Sequence, residues 1–189
     1  MNWFELPKDR WRNSSQTSRY REWDFQKQKC YDAERVFRNA LGEKNEMIST
    51  VVKIQAYVDR ICSYAWFKRR WGEVKVTVKQ TVTGCARGSY LGSWIKLPIW
   101  LGSKVVILHE LAHAITPPST GGGHGRYWAK TFLELVHHAM GESEMVLLRD
   151  NFKAYKVKYL PRKQLSETTR AAARERFVTN VLKRGATCV

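Results

Sequence analysis

The chain has 189 residues, with 33 Lys and Arg against 17 Asp and Glu, so its formal net charge is +16. Hydrophobic residues make up 43% and aromatic residues 12%, enough for a folded core, which excludes global disorder and collagen-like or low-complexity chains. No apolar run approaches the roughly 18 residues of a transmembrane segment, and the N-terminus lacks the apolar stretch of a secretion signal. We therefore expect a folded, basic, cytoplasmic protein, monomeric by default, whose four scattered cysteines are free thiols.

Two helices are predicted in the first part of the chain. Asp24 is a candidate cap for the first, whose apolar residues recur at steps of three and four until Gly42. Ser49 or Thr50 is a candidate cap for the second, whose apolar stripe continues to about Gly72. Both helices are amphipathic, so each should pack one face on the core.

Strand patterns follow. Glu73–Thr83 alternates valines with polar residues, which predicts a half-buried strand, and Leu91–Leu97 predicts a second one. The two strands are predicted either to form a hairpin across the turn-rich segment Gly84–Tyr90 or to be two strands of a small sheet. After them, Ser103 is expected to cap a helix that runs to Ile115 and stops before two prolines.

The remaining pattern is helical. A helix over 125–140 and a shorter one from residue 142 are predicted, followed by a basic tail with a last amphipathic helix from Ser166. The predicted class is α+β, with a small antiparallel or mixed sheet packed on helices. The predicted organisation is a basic, Trp-containing arm (1–23), a central domain (24–141) and a basic helical extension (142–189) packed on or following that domain.

The sequence HELAH contains the spacing of a metal site. His109 and His113 are four residues apart on a predicted helix, so both imidazoles project from one face, with Glu110 beside them. Neutral imidazole suits Zn²⁺, and a catalytic zinc site needs three protein ligands and one open position. Glu110 is then placed to take a proton from water that attacks a carbonyl.

Two residues are candidates for the third ligand. Ten residues separate His113 from His124, and the Pro and Gly residues between them can turn the chain back, so His124 is the preferred candidate. Glu134 on the following helix is the alternative, because a carboxylate is the other common third ligand. The HExxHxxGxxH pattern is excluded, since Thr116 and Ser119 occupy the Gly and His positions.

The motif HELAHA, followed after a loop by HGRYW, resembles the SprT-like (Spartan) zinc metallopeptidases. The resemblance implies a zincin-like fold with HExxH on the active-site helix, Zn²⁺ held by His109, His113 and His124, and Glu110 as general base. It also implies that Gly125 forms a close-packed turn and that Trp128 packs on the active-site helix. The segment DFQKQKCYDAERV at 24–36 resembles the opening helix of short metallohydrolases of actinobacteria and their phages, whose compartment would be the host cytoplasm.

Substrate contacts are also implied. In zincins an edge strand pairs with extended substrate beside the HExxH helix, and Ser93–Leu97 is one candidate, with a plain sheet strand as the alternative. Tyr127 and Arg126, next to a predicted ligand, are candidates for stabilising an oxyanion or contacting substrate. The predicted activity is metal-dependent hydrolysis of a protein or peptide. The alternatives are hydrolysis of a non-peptide substrate and a non-catalytic nucleic-acid-binding protein with a structural metal.

Charge is unevenly distributed along the chain. The segment 109–148 holds two basic and four acidic residues, so the positive excess lies outside the predicted metal-binding segment. Lys68, Arg69 and Arg70 lie between tryptophans, a combination that suits phosphate neutralisation with base stacking. Cations are also favoured at a helix C-terminus, which is an alternative reason for this run. Nucleic acid, DNA in particular, is the predicted partner. Many SprT-like proteins carry a C-terminal zinc ribbon with paired cysteines, whereas the tail here contains only Cys188, so the resemblance does not extend to that module.

Overall fold

The computed structural model of the chain describes residues 24–82, 86–91, 93–98, 100, 102–117 and 123–159. These residues form an α+β fold with six α-helices and a three-stranded mixed sheet, which confirms the predicted class. The predicted arm at 1–23 and the predicted helix from Ser166 lie outside the described residues. The elements are α1 (Lys27–Leu41), a 3₁₀ turn (Gly42–Lys44), α2 (Val51–Ser63), α3 (Ala65–Trp71), β1 (Thr77–Thr81), β2 (Arg87–Ser89), β3 (Trp94–Pro98), α4 (Lys104–Ile115), α5 (Arg126–Met140) and α6 (Glu142–Ala154).

Helix α1 ends at Gly42 as predicted, but its beginning differs from the prediction. The helix starts at Lys27 with Gln26 as the capping position, and no side chain caps it. The expectation that Asp24 caps this helix was wrong, because the Asp24 carboxylate instead accepts hydrogen bonds from His124. The face of α1 that carries Cys30 is buried and holds that thiol free, and burial raises its pKa.

The second predicted helix is two helices. Thr50 caps α2 by accepting a hydrogen bond from the Lys53 amide at 3.3 Å, as expected. The chain leaves helical geometry at Tyr64, where ψ is 141°, and resumes as α3. This break lets α3 pack Phe67 fully into the core, with Trp66 and Trp71 partly buried around it.

The sheet has the strand order β1-β3-β2. The two predicted strands are neighbours, but β1 and β3 run parallel, so the alternative of a hairpin was wrong. The segment predicted as a turn contains β2, which pairs antiparallel with β3. The strand predicted at Ser93–Leu97 as a substrate-binding edge is therefore the middle strand, and β2 is the outer strand among the described residues.

Helix α4 lies at the centre of the fold. Ten of its twelve residues are buried, and it contacts β2, β3, α2 and α5. The Ser103 hydroxyl accepts from the Val106 amide at 3.4 Å, which confirms the predicted cap, and the Asn45 side chain accepts from the Val105 amide at 3.2 Å. Because its first amides are satisfied and its length is buried, α4 is a rigid support for the side chains it carries.

Helices α5 and α6 complete the core. Gly141, at φ 126°, ends α5 and begins α6. Helix α6 packs on α1 and α5, and its Leu148 and Phe152 are fully buried in the same core. The segment from Tyr155 begins with a turn and continues without regular structure to Tyr159. None of the helices in the described ranges has the length and apolar character that spanning a lipid bilayer requires.

Candidate metal centre

Three imidazoles converge on one point next to core residues. His109 and His113 project from the same face of α4, and His124 lies two residues before α5. The Nε2 atom of His124 is 3.2 Å from Nε2 of His109 and 3.3 Å from Nε2 of His113. His109 and His124 are each only 4% exposed and His113 is partly buried, so the three nitrogens meet in a largely buried site.

This geometry can hold a metal ion. A tetrahedral ion bound by nitrogens at about 2.0–2.1 Å keeps its ligand atoms about 3.3 Å apart, close to the two separations that His124 Nε2 makes. The ligand nitrogens of all three histidines lie within 4.8 Å of one another. Burial, together with the neighbouring His109 and His124, holds the pKa of His113 well below its ordinary value. Burial likewise lowers the pKa of His124, although Asp24 partly offsets this. These two imidazoles are therefore neutral near pH 7, which is the form that binds metals.

Two of the imidazoles are hydrogen bonded to a carboxylate through Nδ1. Glu34 of α1 lies 2.5 Å from Nδ1 of His109, and both Asp24 oxygens lie 3.1 Å from Nδ1 of His124. Burial acts to lower the pKa of His109, but the Glu34 charge and hydrogen bond reverse this and raise it. Burial acts to raise the pKa of Asp24, and hydrogen bonds from His124 more than offset it. Each carboxylate accepts an Nδ1–H and thereby directs Nε2 towards the centre.

The main chain of His124 is held on both sides. Its amide donates to Asp24 Oδ1 at 2.8 Å, and its carbonyl accepts from Gln26 Nε2 at 2.7 Å. The Gln26 side chain also hydrogen bonds to the main chain of Lys158, at 2.9 Å for both its nitrogen and its oxygen. His124 is thus placed by the segment before α1 and the segment after α6, which are far apart in sequence.

Aromatic rings surround the imidazoles. Trp128 is buried, and its ring lies 4.5 Å from His124, 4.7 Å from His109 and 5.1 Å from His113, measured between ring centroids. Tyr31, which is 41% exposed, stacks on His109 at 5.8 Å and meets the edge of His124 at 4.9 Å. Trp128 therefore forms an inner wall of the site, while Tyr31 lies on the side open to solvent.

Glu110 is buried next to this cluster. Burial raises the pKa of its carboxyl group, while the nearby His109 and a hydrogen bond from the Gly88 amide act in the opposite direction. Gly88 belongs to β2 and lies so close to α4 that a Cβ atom there would overlap the Glu110 carbonyl oxygen and come within 2.8 Å of His113 Cβ. A glycine is required at this approach, where the outer strand contacts the helix that carries His109 and His113.

Other predicted site residues lie elsewhere. Glu134 forms ion pairs with Arg70 at 3.3 Å and Lys130 at 3.6 Å, outside the His cluster. Tyr127 is 46% exposed, and within the described ranges its ring does not stack on any of the three imidazoles. Its neighbour Arg126 is the first residue of α5 and partly exposed. The basic run Lys68, Arg69 and Arg70 is exposed on α3.

Sequence reasoning missed Asp24, Glu34, Tyr31 and Gly88 as parts of the site. One signal was present for Glu34, because it falls on the same buried stripe of α1 as Cys30 and Phe37. A carboxylate on a buried stripe requires a polar partner. No comparable signal marks Asp24, because a turn residue before a helix has the same pattern whether it caps that helix or reaches across the fold.

No protein-family model, curated protein or solved structure matches this chain. The case for its function therefore depends on its own residues and their geometry.

We expect Glu34→Gln to weaken metal binding about 10- to 100-fold, the usual effect of losing such a supporting carboxylate. The glutamine keeps the size of the side chain but removes the charge that holds the proton on Nδ1 of His109. Competition with a chromophoric zinc chelator measures the change. Asp32→Asn is the matched control, because Asp32 lies on the same helix and pairs with Arg35 at the surface. Equal zinc affinity in the two variants would contradict the supporting role of Glu34.

Proposed function

We propose that this chain is a zinc-dependent metallopeptidase of zincin-like fold, in which His109, His113 and His124 hold Zn²⁺ and Glu110 acts as general base. One observation carries the proposal: three neutral or carboxylate-supported imidazoles direct their Nε2 atoms to one point beside a buried glutamate. Three histidine ligands suit zinc, and among the described residues no fourth ligand completes the group. An open position is typical of catalytic rather than structural zinc sites.

When bound, zinc supplies Lewis-acid chemistry, polarising the substrate carbonyl and making water more acidic. The buried Glu110 carboxylate takes a proton from the attacking water and delivers it to the leaving nitrogen. Its raised pKa makes this carboxylate a better proton acceptor than an exposed glutamate. The Gly88 amide fixes its orientation.

The outer strand offers a place for substrate. In this proposal an extended peptide pairs with the outer edge of β2. The opposite edge of β2 pairs with β3, and the strand packs on α4 beside Glu110. Tyr31, partly exposed above His109 and His124, is the aromatic contact for a substrate side chain. This arrangement replaces the candidate strand at Ser93–Leu97 and leaves Tyr127 and Arg126 as more distant contacts.

Metal analysis combined with a cleavage assay tests the proposal. We expect one equivalent of zinc in the wild type and in Glu134→Ala, and loss of zinc in His124→Ala. The reason is that His124 belongs to the group of three histidines and Glu134 does not. His137→Ala, a substitution of an exposed histidine on α5, is the control for unspecific effects of removing an imidazole. Casein cleavage should disappear with a chelator and return with zinc. Zinc retained by His124→Ala but lost by Glu134→Ala would contradict the ligand set.

A further inference from the structure

A second concave site lies away from the metal centre, between α3 and the C-terminal half of α5. This aromatic-basic pocket has a volume of about 390 Å³, within the range of small-ligand pockets (about 300–1,000 Å³). It is lined by Trp66, Arg69, Arg70, Trp71, Glu134 and His138. His138 is ten positions after Trp128 on α5, which is about 15 Å along a helix, so the pocket does not share the metal site.

Flat rings form one part of the pocket. The Trp66 and His138 rings stack at 4.1 Å with an angle of 15° between their planes, and Trp71 meets the edge of Trp66 at 5.9 Å. Burial and the neighbouring His137 lower the pKa of His138, so its ring is neutral near pH 7. Neutral, planar rings at a pocket wall are surfaces on which another planar group can stack.

Cations form the other part. Arg70 lies 5.7 Å from the centre of the Trp71 ring and pairs with Glu134, whose charge is also balanced by Lys130. Arg69 lines the same pocket, and in the described ranges of the chain it makes no ion pair or hydrogen bond. The pocket therefore offers an available guanidinium next to stacked rings. Guanidinium groups bind phosphate oxygens in a bidentate manner.

We propose that the aromatic-basic pocket binds an unpaired nucleotide of single-stranded nucleic acid, with the base against the rings and the phosphate on Arg69. Stacking rings with adjacent cations are the recurring solution for single-stranded binding, whereas a base inside a duplex is already stacked and cannot enter a concave pocket. The net charge of +16 favours a polyanion over a neutral ligand. This inference does not depend on the peptidase proposal, because binding is measured without cleavage.

The test is fluorescence anisotropy of a labelled 15-residue oligothymidylate with the full chain. Stacking contributes about 1–3 kcal/mol per base, so His138→Ala should raise the Kd about fivefold or more. Tyr90→Ala is the control: it removes an exposed aromatic ring that does not line the pocket, and the Kd should stay within about twofold. Thermal melting establishes that both variants remain folded. Equal Kd values for the two variants would overturn the proposal.

A charge variant gives a second, independent readout. Arg69→Ala should reduce the slope of log Kd against log salt concentration by about one, the change expected when one phosphate contact is lost. Arg35→Ala, which removes the same charge from the exposed face of α1, should leave that slope nearer the wild-type value. An unchanged slope for Arg69→Ala would contradict a phosphate contact at this residue.

Competition experiments distinguish a single-stranded polymer from a free nucleotide, which offers the same base and phosphate. Single-stranded oligothymidylate should compete well, and thymidine monophosphate only weakly, if the polymer is the ligand. Competition by the free nucleotide at comparable concentrations would assign the pocket to a mononucleotide instead. Equal competition by a duplex of the same length, or by an oligoglutamate peptide, would overturn the assignment to unpaired nucleotides.

Discussion

Glu110→Gln is expected to lower peptide cleavage by about 10²- to 10⁴-fold while the protein keeps its full equivalent of zinc. The amide has the size of the carboxylate and can still accept the Gly88 amide hydrogen bond, so the site should stay assembled. It cannot take a proton from water, so the general-base step is lost. The rate of casein or peptide cleavage, measured beside zinc content by mass spectrometry, checks the expectation.

The controls for this variant separate catalysis from structure. Glu142→Gln removes an exposed carboxylate from α6 and should leave both activity and zinc content unchanged. Cleavage that survives in Glu110→Gln would sink the general-base assignment. A wild type that binds zinc at the three histidines yet cleaves no peptide would favour the alternative of a structural metal in a nucleic-acid-binding protein.

Gly88→Ala is expected to destabilise the protein by about 3 kcal/mol, near the upper end of the cost of overpacking. The new Cβ overlaps the Glu110 carbonyl oxygen and crowds His113, and backbone atoms of a buried helix cannot move aside as a flexible side chain can. For a chain of this size the loss corresponds to a fall in Tm of roughly 6–12 °C. Differential scanning calorimetry measures it.

The same substitution should also affect the site. Separating β2 from α4 weakens the Gly88 hydrogen bond to Glu110, so residual activity per folded molecule should fall as well. Lys79→Ala, on β1 with an exposed side chain, is the control and should change stability by no more than about 0.5 kcal/mol. A Tm for Gly88→Ala equal to that of the control would show that β2 does not pack on α4 as described.

The HExxH segment illustrates what local pattern predicts well. Ser103 as cap, the helix to Ile115, and the shared face of His109 and His113 all follow from spacing within one helix, where geometry depends only on residues a few positions apart. The ends of α1 and α5 at Gly42 and Gly141 follow for the same reason.

Errors arose where long-range contacts decide the structure. The break at Tyr64 places Phe67 in the core, and nothing within the apolar stripe of residues 51–71 marks it. The short strand β2 was predicted as a turn, because three residues containing a glycine carry little strand signal. The sheet order depends on packing against α4: β3, the candidate edge strand, is the middle strand, and β2 is an outer strand among the described residues.

The sequence by itself determined the α+β class, the helix that carries the HExxH motif, and the pair of histidines with a neighbouring glutamate, because these depend on patterns along single elements. Only the tertiary structure decided which residues support them. Glu34 and Asp24 stand 75 and 100 positions from the histidines they hold, and Gly88 reaches Glu110 from a strand. Such contacts arise when distant segments pack together, and no local pattern encodes that pairing.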